Sequence, residues 1–362
     1  MKIVAVDPIA LSIPFDDGGG AGTGLMPQRW NRLDIVLVRV RTDTGLVGWG
    51  EAFGYFCRRA VVAQIEDLLA PALVGRELSD PAALNDDLQR RLALFGRYGV
   101  TIFALSGVDI ALWDLKAKAE GVDLATLLAG RRVRDEVEAY ASLVRYGEAG
   151  QVARLCEQAA SEGYRSLKLH EITMPEIRAG RGAVDRAISL TIDVNCNWTE
   201  AFAESVLPEL RELDTLWLEE PVFPPEDWDA LGRLGRHGVA IAAGENACTA
   251  VEFGHLVPAV TYPQPSVTKV GGVTEFLRVA ELARAQGRTL MPHSPYFGPG
   301  YYATLQLAAA VDNVGLFEHL YIDPQDWAGG EPLRPERGRL AIPARPGIGF
   351  EPDPAVLERW AV

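Results

Sequence analysis

Seven polar residues follow short apolar runs in the second half of the sequence. Successive members of this series are 21 to 27 residues apart, so each falls at the same phase of a repeat. A lone acid after a strand is usually a helix N-cap or a solvated loop residue. Three consecutive acids in phase weaken that interpretation and favour a shared site. The seven residues are Lys168, Asp193, Glu219, Glu245, Ser266, His293 and Glu318.

Asp193, Glu219 and Glu245 are the three consecutive acids of this series. Carboxylates that converge at the ends of adjacent strands repel one another unless a positive charge lies among them. Three oxygen ligands without a thiolate predict a hard divalent cation, and we expect one Mg²⁺ per chain. Glu220 follows Glu219, but neighbouring residues of a strand face opposite sides, so we expect Glu219 rather than Glu220 to bind the metal.

Two further polar residues share a strand face with members of the series. Residues two apart on a strand point to the same side, so His170 lies with Lys168, and Asn195 lies with Asp193. A single histidine is more often structural than catalytic, but His170 and His293 both close strands at the predicted metal's end. The remaining histidines are expected at the surface or facing away from the site; they are His237, His255 and His319.

These residue types suit removal of a proton alpha to a carboxylate. Such a proton is too weakly acidic for histidine or lysine to remove unaided, so the resulting enediolate must be stabilised by a metal and by cationic neighbours. His170 or Lys168 would take the proton. His293 would serve the opposite face of the carbon, as a second base or as the acid for a leaving hydroxyl.

Eight short apolar runs alternate with helical stretches after residue 135. Such alternation indicates a parallel sheet, and eight units over about 190 residues predict a closed barrel. An open doubly wound sheet is the alternative. The active site of a barrel lies at the carboxyl ends of its strands, where the polar series falls. The runs are EAYASL, SLKLH, SLTIDVN, TLWLEEP, AIAAGEN, AVTYPQP, RTLMPHS and VGLFEH.

The first part of the sequence has a different pattern. Strand-like runs come first and helical periodicity follows, ending with a long helix over 102–119 that stops before Gly121. We therefore predict an α+β domain over 1–125 and a barrel over 126–322. A Pro- and Gly-rich segment, 323–362, adds no barrel unit and is expected to pack back on the first domain.

Composition excludes several classes of partner. The formal net charge of -14 disfavours binding to nucleic acid or to an anionic membrane surface. The four cysteines form no C-x-x-C pair, which favours reduced thiols in a cytoplasmic protein. We expect no signal peptide, because the first residues lack an unbroken apolar core, and no membrane span, because no apolar stretch approaches about 20 residues.

Seven segments, spread over almost the whole length of the sequence, follow the pattern of a known family. They are GLVGWGEA (45–52), ALSGVDIALWDLKAKAEG (104–121), DVN (193–195), WLEEP (217–221), AGEN (243–246), KVGG (269–272) and PGIG (346–349). In their order and spacing they resemble the mandelate racemase branch of the enolase superfamily. This resemblance implies an α/β fold: a modified TIM barrel, (β/α)7β, with an N-terminal α+β capping domain. It also implies metal ligands at Asp193, Glu219 and Glu245.

Departures from the family pattern concern the catalytic residues. Relatives often carry Lys-x-Lys on the second barrel strand, with the second lysine as the base; here that position is His170. The racemase branch has an aspartate on the sixth strand that orients the histidine of the seventh, and the muconate-lactonizing branch has a lysine there. This chain has Ser266, so His293 must be oriented by Ser266, by backbone or by substrate. Glu318 matches a family glutamate that hydrogen-bonds the substrate carboxylate, a role that a protonated carboxyl would suit.

Residues 18–24 contain five glycines. A phosphate cradle would need a preceding strand and a following Lys-Ser or Lys-Thr, and neither is present. A floppy surface loop is one interpretation. The resemblance implies instead flap loops over the barrel mouth, 15–30 and 50–57, in which Trp30, Tyr55 and Phe56 would contact substrate.

The sequence therefore predicts a magnesium-dependent lyase or isomerase that acts on a hydroxy or sugar acid in carbohydrate catabolism. Dehydration is the first expectation, racemisation or epimerisation the second, and cycloisomerisation of a lactone or anhydro ring the third. A non-catalytic binding protein and a metal-dependent aldolase are the alternatives from other classes. The resemblance also implies a homo-oligomer, from dimer to octamer. Asn195, Glu318, Trp30, Tyr55 and Ser266 are the expected substrate-binding residues.

Overall fold

The computed structural model describes residues 1–19 and 30–362. Three strands form an N-terminal antiparallel sheet: β1 (Ile3–Asp16), β2 (Arg32–Thr42) and β3 (Val47–Phe53). The strand β2 lies between the other two. The turn from β2 to β3 passes through Gly45, whose φ of 83° lies in the left-handed region that favours glycine. The strands β2 and β3 therefore form an antiparallel hairpin.

Helices cover one face of this sheet. The longest, α4, lies against β3 at backbone distance, because a Cβ atom added to Gly50 would come within 1.9 Å of the carbonyl oxygen of Gly107. A π-helical turn, Ile65–Leu69, and a 3-10 turn, Ala93–Phe95, interrupt the series. The helices are α1 (Arg58–Gln64), α2 (Ala70–Leu73), α3 (Pro81–Leu92), α4 (Gly99–Glu120) and α5 (Leu124–Ala129).

Parallel strands then curl into a barrel, in which the last strand of the series pairs with the first. This arrangement confirms the predicted fold class. Its strands are β4 (Glu136–Leu143), β5 (Ser166–Leu169), β6 (Ser189–Asp193), β7 (Thr215–Glu219), β8 (Ala240–Ala243), β9 (Tyr262–Pro263) and β10 (Phe317–Leu320).

Helices connect these strands and form the outer layer, as expected of βα units. Three of these helices begin with an N-cap carboxylate or hydroxyl that accepts a backbone N–H; an example is Thr199 at the start of α8. The barrel helices are α6 (Ala149–Ser161), α7 (Met174–Gly182), α8 (Glu200–Glu212), α9 (Trp228–Leu234, continued by the 3-10 turn Gly235–His237), α10 (Thr249–Ala259), α11 (Gly272–Ala285) and α12 (Pro299–Ala310).

The seventh barrel position departs from the predicted strand. Among the described residues, the run around Leu290 makes a single parallel bridge, to Val314, and the Met291 N–H donates to the Pro263 carbonyl at 3.0 Å. Pro292 follows at once and has no N–H to donate, so a regular ladder cannot continue. The prediction of a full strand was wrong here, although the segment fills the gap between β9 and β10.

The C-terminal segment contacts both parts of the chain. The short strand β11 (Asp323–Pro324) pairs with β1, and α13 (Pro354–Trp360) also packs near β1. The strand β12 (Arg339–Ala341) pairs antiparallel with β4 of the barrel, a contact that the sequence pattern did not indicate. Within the described ranges, no helix has both the length and the apolar character needed to cross a bilayer.

Candidate active site

Lys168 on β5 lies among three carboxylates inside the carboxyl end of the barrel. Its side chain is fully buried, and Nζ lies 2.7 Å from Glu219, 2.8 Å from Glu318 and 3.4 Å from Asp193. Burial alone would lower the pKa of Lys168, but the charges of Glu219 and Glu318 outweigh it and hold that pKa well above its usual value. Lys168 is therefore a charged group, and it supplies positive charge among the carboxylates.

His170 extends from the end of β5 toward Asp193. Its Nδ1 lies 2.5 Å from the Leu143 carbonyl oxygen, and its Nε2 lies 3.2 Å from Asp193 Oδ2. A carbonyl oxygen can only accept, so Nδ1 carries the proton in the neutral ring and Nε2 is the nitrogen with a free lone pair. The backbone thus fixes which nitrogen of His170 can act as a base.

His293 stands in the seventh barrel position and pairs with a different carboxylate. Its Nε2 lies 2.8 Å from Glu245 Oε2. Burial would raise the pKa of Glu245, but His293 outweighs it and lowers the pKa to about 2. The two histidines therefore pair with different predicted metal ligands, His170 with Asp193 and His293 with Glu245.

Ser266 does not touch His293 directly. Its hydroxyl instead contacts the hydroxyl of Tyr296, and that phenol oxygen lies 3.4 Å from His293 Nδ1. One alternative from the sequence was that Ser266 itself orients His293. In the structure Tyr296 lies between the two residues and contacts both. Burial raises the pKa of Tyr296 further above its usual value, so the phenol stays neutral.

Glu220 is closer to the acidic cluster than strand alternation predicted. The strand β7 ends at Glu219, and Glu220 has a φ of 41°, so it no longer follows the regular pleat. Its Oε1 accepts from the Gly244 N–H at 2.9 Å. Burial, followed by the charge of Glu245, raises the pKa of Glu220 to about 8. Glu220 is therefore a further buried acid beside the predicted ligands.

The predicted metal ligands lie at the ends of the adjacent strands β6, β7 and β8, but basic groups hold their carboxylates. Across residues 1–19 and 30–362, no three acidic, histidine or cysteine side chains converge closely enough to hold an ion as they stand. Asp193 Oδ2 is a buried oxygen whose neighbours are two basic nitrogens at longer range, His170 Nε2 at 3.2 Å and Lys168 Nζ at 3.4 Å. Oxygen donors and an excess of carboxylates over lysines suit a hard divalent cation once the side chains rotate.

Glu318 is fully engaged by donors. One of its oxygens accepts from Ser142 Oγ and from Lys168, both at 2.8 Å, and the other accepts from the Ser294 N–H at 2.8 Å. Burial raises the pKa of Glu318, but Lys168 and His293 outweigh it and lower the net pKa below its usual value. The protonated form considered from the sequence is therefore disfavoured, because all these partners donate to an ionised carboxylate.

Aromatic side chains from the first domain lie over the barrel mouth. The ring centroids of Trp30 and Tyr55 are 5.3 Å apart, and Tyr55 is 5.2 Å from Phe53. The Tyr55 hydroxyl donates to the Pro295 carbonyl and so ties the 50–57 loop to the barrel. Phe56 is 49% exposed and does not line the pocket. Residues 20–24 of the glycine run lie outside the described residues.

A pocket of about 150 Å³ joins these groups. It contains His170, Asn195, Glu245, His293 and Glu318 from the sequence-predicted set, and also Trp30 and Tyr55. Lys168, Asp193, Glu219 and Ser266 are buried behind its walls. The remaining lining residues are Asp17, Phe53, Val144, Arg145, Lys269, Pro295 and Leu320.

Two cationic residues of this pocket were missed by sequence reasoning. Arg145 donates to the His170 carbonyl at 2.7 Å and to Asn195 Oδ1 at 3.1 Å, which links the ends of three strands. Lys269 places Nζ 4.9 Å from the Phe53 ring centroid. Lys269 could have been found, since it begins the KVGG segment, whereas no local pattern marks Arg145.

Comparisons with known proteins show the family to which both parts of the chain belong. Residues 28–129 match the mandelate racemase/muconate lactonizing enzyme N-terminal domain, and residues 151–356 match the enolase C-terminal domain-like family. Arabinonate dehydratase of Saccharolobus solfataricus is 29% identical over 341 residues, covering 91% of each chain. D-galactarolactone cycloisomerase of Agrobacterium fabrum is 31% identical over 380 residues, covering 97% of this chain and 96% of that protein.

A solved structure extends the likeness to the whole fold. The 3,6-anhydro-D-galactonate cycloisomerase from Zobellia galactanivorans superposes with a TM-score of 0.86 at 27% identity and covers 100% of both chains. Both domains and their order are thus shared. The chain belongs to the mandelate racemase/muconate lactonizing enzyme branch of the enolase superfamily.

Proposed function

We propose that this protein removes the proton alpha to the carboxylate of a hydroxy or sugar acid and then expels water from the beta carbon. The observation that carries the proposal is the placement of His170 and His293 in one pocket, each beside a different carboxylate. The likeness to an arabinonate dehydratase over 91% of both chains supports the choice of dehydration.

His170 is the proposed base. Its Nδ1–H is held by the Leu143 carbonyl, so the lone pair of Nε2 is available to the substrate. Arg145 donates to the backbone carbonyl of His170 itself and thereby helps to fix the strand end that carries the ring. A general base held in this way contributes about 10²- to 10⁴-fold to the rate of proton transfer.

His293 is the proposed acid for the departing hydroxyl. It follows the seventh barrel position, whereas His170 follows the second, so the two rings approach the pocket from different sides. After the alpha proton has gone to His170, the leaving oxygen needs a proton that His293 can deliver. Lys168, charged and buried, adds positive charge near the position where charge develops on the substrate.

Asp193, Glu219 and Glu245 are proposed to hold one Mg²⁺, which is typical of this family. When bound, Mg²⁺ stabilises the charge that develops on the substrate carboxylate as the alpha proton leaves. Binding requires Asp193 and Glu245 to turn away from their histidine partners. That rotation would leave both rings available to the substrate.

Ring opening or closing of a sugar acid is the second candidate. It begins with the same proton abstraction, and the leaving oxygen belongs to the substrate's own ring. Likeness to two cycloisomerases, one of them covering 100% of both chains, favours this alternative over racemisation. Homo-oligomeric assembly and a cytoplasmic location stay proposals that rest on the family resemblance, as do the domain limits 1–125, 126–322 and 323–362.

Turnover of an acid panel tests the proposal. The protein would be incubated with Mg²⁺ and a set of aldonates, aldarates and their ring forms, and 2-keto acid products would be trapped with semicarbazide. We expect product from at least one acid with wild type and with His255→Asn, an exposed control, and none with His170→Asn. Equal turnover by the His170 variant would overturn the assignment of the base.

A further inference from the structure

The pocket has two unlike sides. The strand ends of β5, β6 and β8 and the seventh barrel position present charged or polar side chains; His170, Asn195, Glu245 and His293 are the ones that line the pocket. The strands β10 and β4 close the barrel on the other side and present apolar residues at the same level. This second side is not used by the chemistry proposed above, so it must contact the rest of the substrate.

Strand geometry explains the change of character. Glu318 on β10 and Ser142 on β4 point inward and bond to each other at 2.8 Å. Leu320, two residues beyond Glu318 on β10, faces the same way, and Val144 lies one residue past the end of β4; both are buried and line the pocket. Above Glu318, the ends of these two strands therefore present aliphatic side chains to the pocket beside Arg145.

The capping domain continues this surface. We call the apolar wall the six lining residues Trp30, Phe53, Tyr55, Val144, Pro295 and Leu320. The Tyr55 hydroxyl already donates a hydrogen bond to the Pro295 carbonyl. Arg145, at the edge of the wall, is engaged by the His170 carbonyl and by Asn195. A ligand that lies on the wall thus meets ring faces and aliphatic groups.

We propose that the substrate carries an apolar face on the carbons beyond its two reacting carbons, and that this face lies on the apolar wall. This inference rests on the proposed function, since it assumes that the carboxylate is held at the metal end. A free hydroxyl directed at the wall would lose its hydrogen bonds to water without replacement, which lowers affinity by about tenfold or more for each hydroxyl. A fully hydroxylated open-chain acid is accordingly a poor ligand.

Two kinds of acid have such a face. The first is a deoxy sugar acid with a terminal methyl group; its Cα–H bond breaks with the proton going to His170, the Cα=Cβ bond forms, and the Cβ hydroxyl leaves as water with a proton from His293. The second is an acid with a free carboxylate whose Cβ oxygen belongs to a lactone or cyclic ether ring, and the C–H groups of that ring lie on Trp30 and Tyr55. There the same Cβ–O bond breaks, the oxygen stays in the molecule, and substrate and product are isomers.

Matched acids test the proposal with Mg²⁺ present. For each configuration at the reacting carbons, the set contains an aldonate, its 6-deoxy analogue and its 3,6-anhydro form, together with the monolactone of the corresponding aldarate; every member keeps a free carboxylate. Affinity would be measured by calorimetry and kcat/KM by product formation, so that the ranking does not depend on turnover. We expect the 6-deoxy or the ring member to exceed the aldonate by about tenfold or more in at least one configuration. A product lighter than the substrate by one water identifies the deoxy acid as the kind of substrate used. A product with the mass of the substrate identifies the ring form.

A variant of the wall provides an independent readout. Val144→Thr keeps the side-chain shape and replaces one methyl group with a hydroxyl. It should raise the affinity and kcat/KM for the aldonate, relative to the 6-deoxy acid, by several-fold. Val206→Thr on α8, outside the pocket, should leave this ratio unchanged. If the aldonate binds or reacts as well as its partners in every configuration, the apolar wall does not select the substrate. If acids bind with this ranking but none turns over, the proposed reaction fails while the wall stands; if no acid binds, both fail.

Discussion

The Tyr296 hydroxyl lies 3.4 Å from His293 Nδ1 and contacts Ser266 on its other side. The aspartate that relatives place at the Ser266 position would put a negative charge beside the ring. A neutral phenol offers a hydrogen-bond partner without that charge, so it can fix the ring's orientation, while Glu245 places a carboxylate at the other ring nitrogen. Tyr296 is therefore a positioning residue for His293.

Tyr296→Phe removes this partner and leaves the ring packing in place. We expect kcat to fall by about ten- to a hundredfold with little change in KM, because His293 loses its orientation rather than a contact with substrate. The pH dependence of kcat should shift as well, which a purely structural role would not cause. Tyr302→Phe, on the outer face of α12, is the control. A wild-type pH profile for Tyr296→Phe would show that the phenol is dispensable.

Glu219→Gln should have two separable effects. Without Mg²⁺ it replaces a buried carboxyl that lies 2.7 Å from Lys168 Nζ, while Glu318 and Asp193 remain beside the ammonium group, so we expect a loss of about 1–3 kcal/mol. With Mg²⁺ the wild type should gain about 2.7 kcal/mol when the ion is a hundredfold above its Kd, and the variant should gain much less. Thermal unfolding with EDTA and with Mg²⁺ measures both, with Glu66→Gln as an exposed control. Equal stabilisation of wild type and Glu219→Gln by Mg²⁺ would remove Glu219 from the ligand set.

Glu51 makes the stability of the fold depend on pH. Burial raises its pKa from 4.5 to about 8, against a smaller opposite effect of the Gly300 N–H. A raised pKa in the folded state means that this contribution to stability is complete below pH 4.5 and is lost as the pH rises through about 8. Glu51→Gln should therefore lose less stability than wild type between about pH 5 and pH 9, with a difference on the order of 4 kcal/mol, since each pKa unit corresponds to about 1.4 kcal/mol. If the free energy of unfolding of the two proteins, measured by urea denaturation at each pH, changes with pH in the same way, the account is contradicted.

Gly50→Ala tests the contact between β3 and α4. The added methyl would lie 1.9 Å from the Gly107 carbonyl oxygen, so helix and sheet must separate. We expect a loss of about 3 kcal/mol or more in the free energy of unfolding. Gly254→Ala is the matched control, since nothing lies within 4 Å of that position on α10, and it should stabilise by about 0.5–1 kcal/mol. Similar behaviour of the two variants in urea would refute the close packing.

The barrel and the positions of its reactive residues were predictable because they follow from a period. Asp193 and Glu219 end their strands at the same phase as Lys168, and strand order alone then brings them together. Periodicity could not foresee the irregular places. Pro292 ends the seventh strand. The left-handed φ of Glu220 breaks the strand alternation from which we expected its side chain to face away from the metal site.

Contacts between distant segments were also beyond the sequence. Tyr296 follows His293 by three residues in a loop, where no repeat sets the direction of the side chain. Arg145 meets His170 and Asn195 only because three strand ends lie side by side. Such contacts depend on tertiary packing, whereas the residues that could be predicted depend on local pattern.

Solvent deuterium exchange at the alpha carbon tests the central claim most directly. In D₂O with Mg²⁺, an accepted acid should incorporate deuterium alpha to its carboxylate with wild type and with His293→Asn, because that variant still has its base. Incorporation should vanish with His170→Asn and with Glu219→Gln. Absence of exchange for every acid that binds, or undiminished exchange in the His170 variant, would contradict the account.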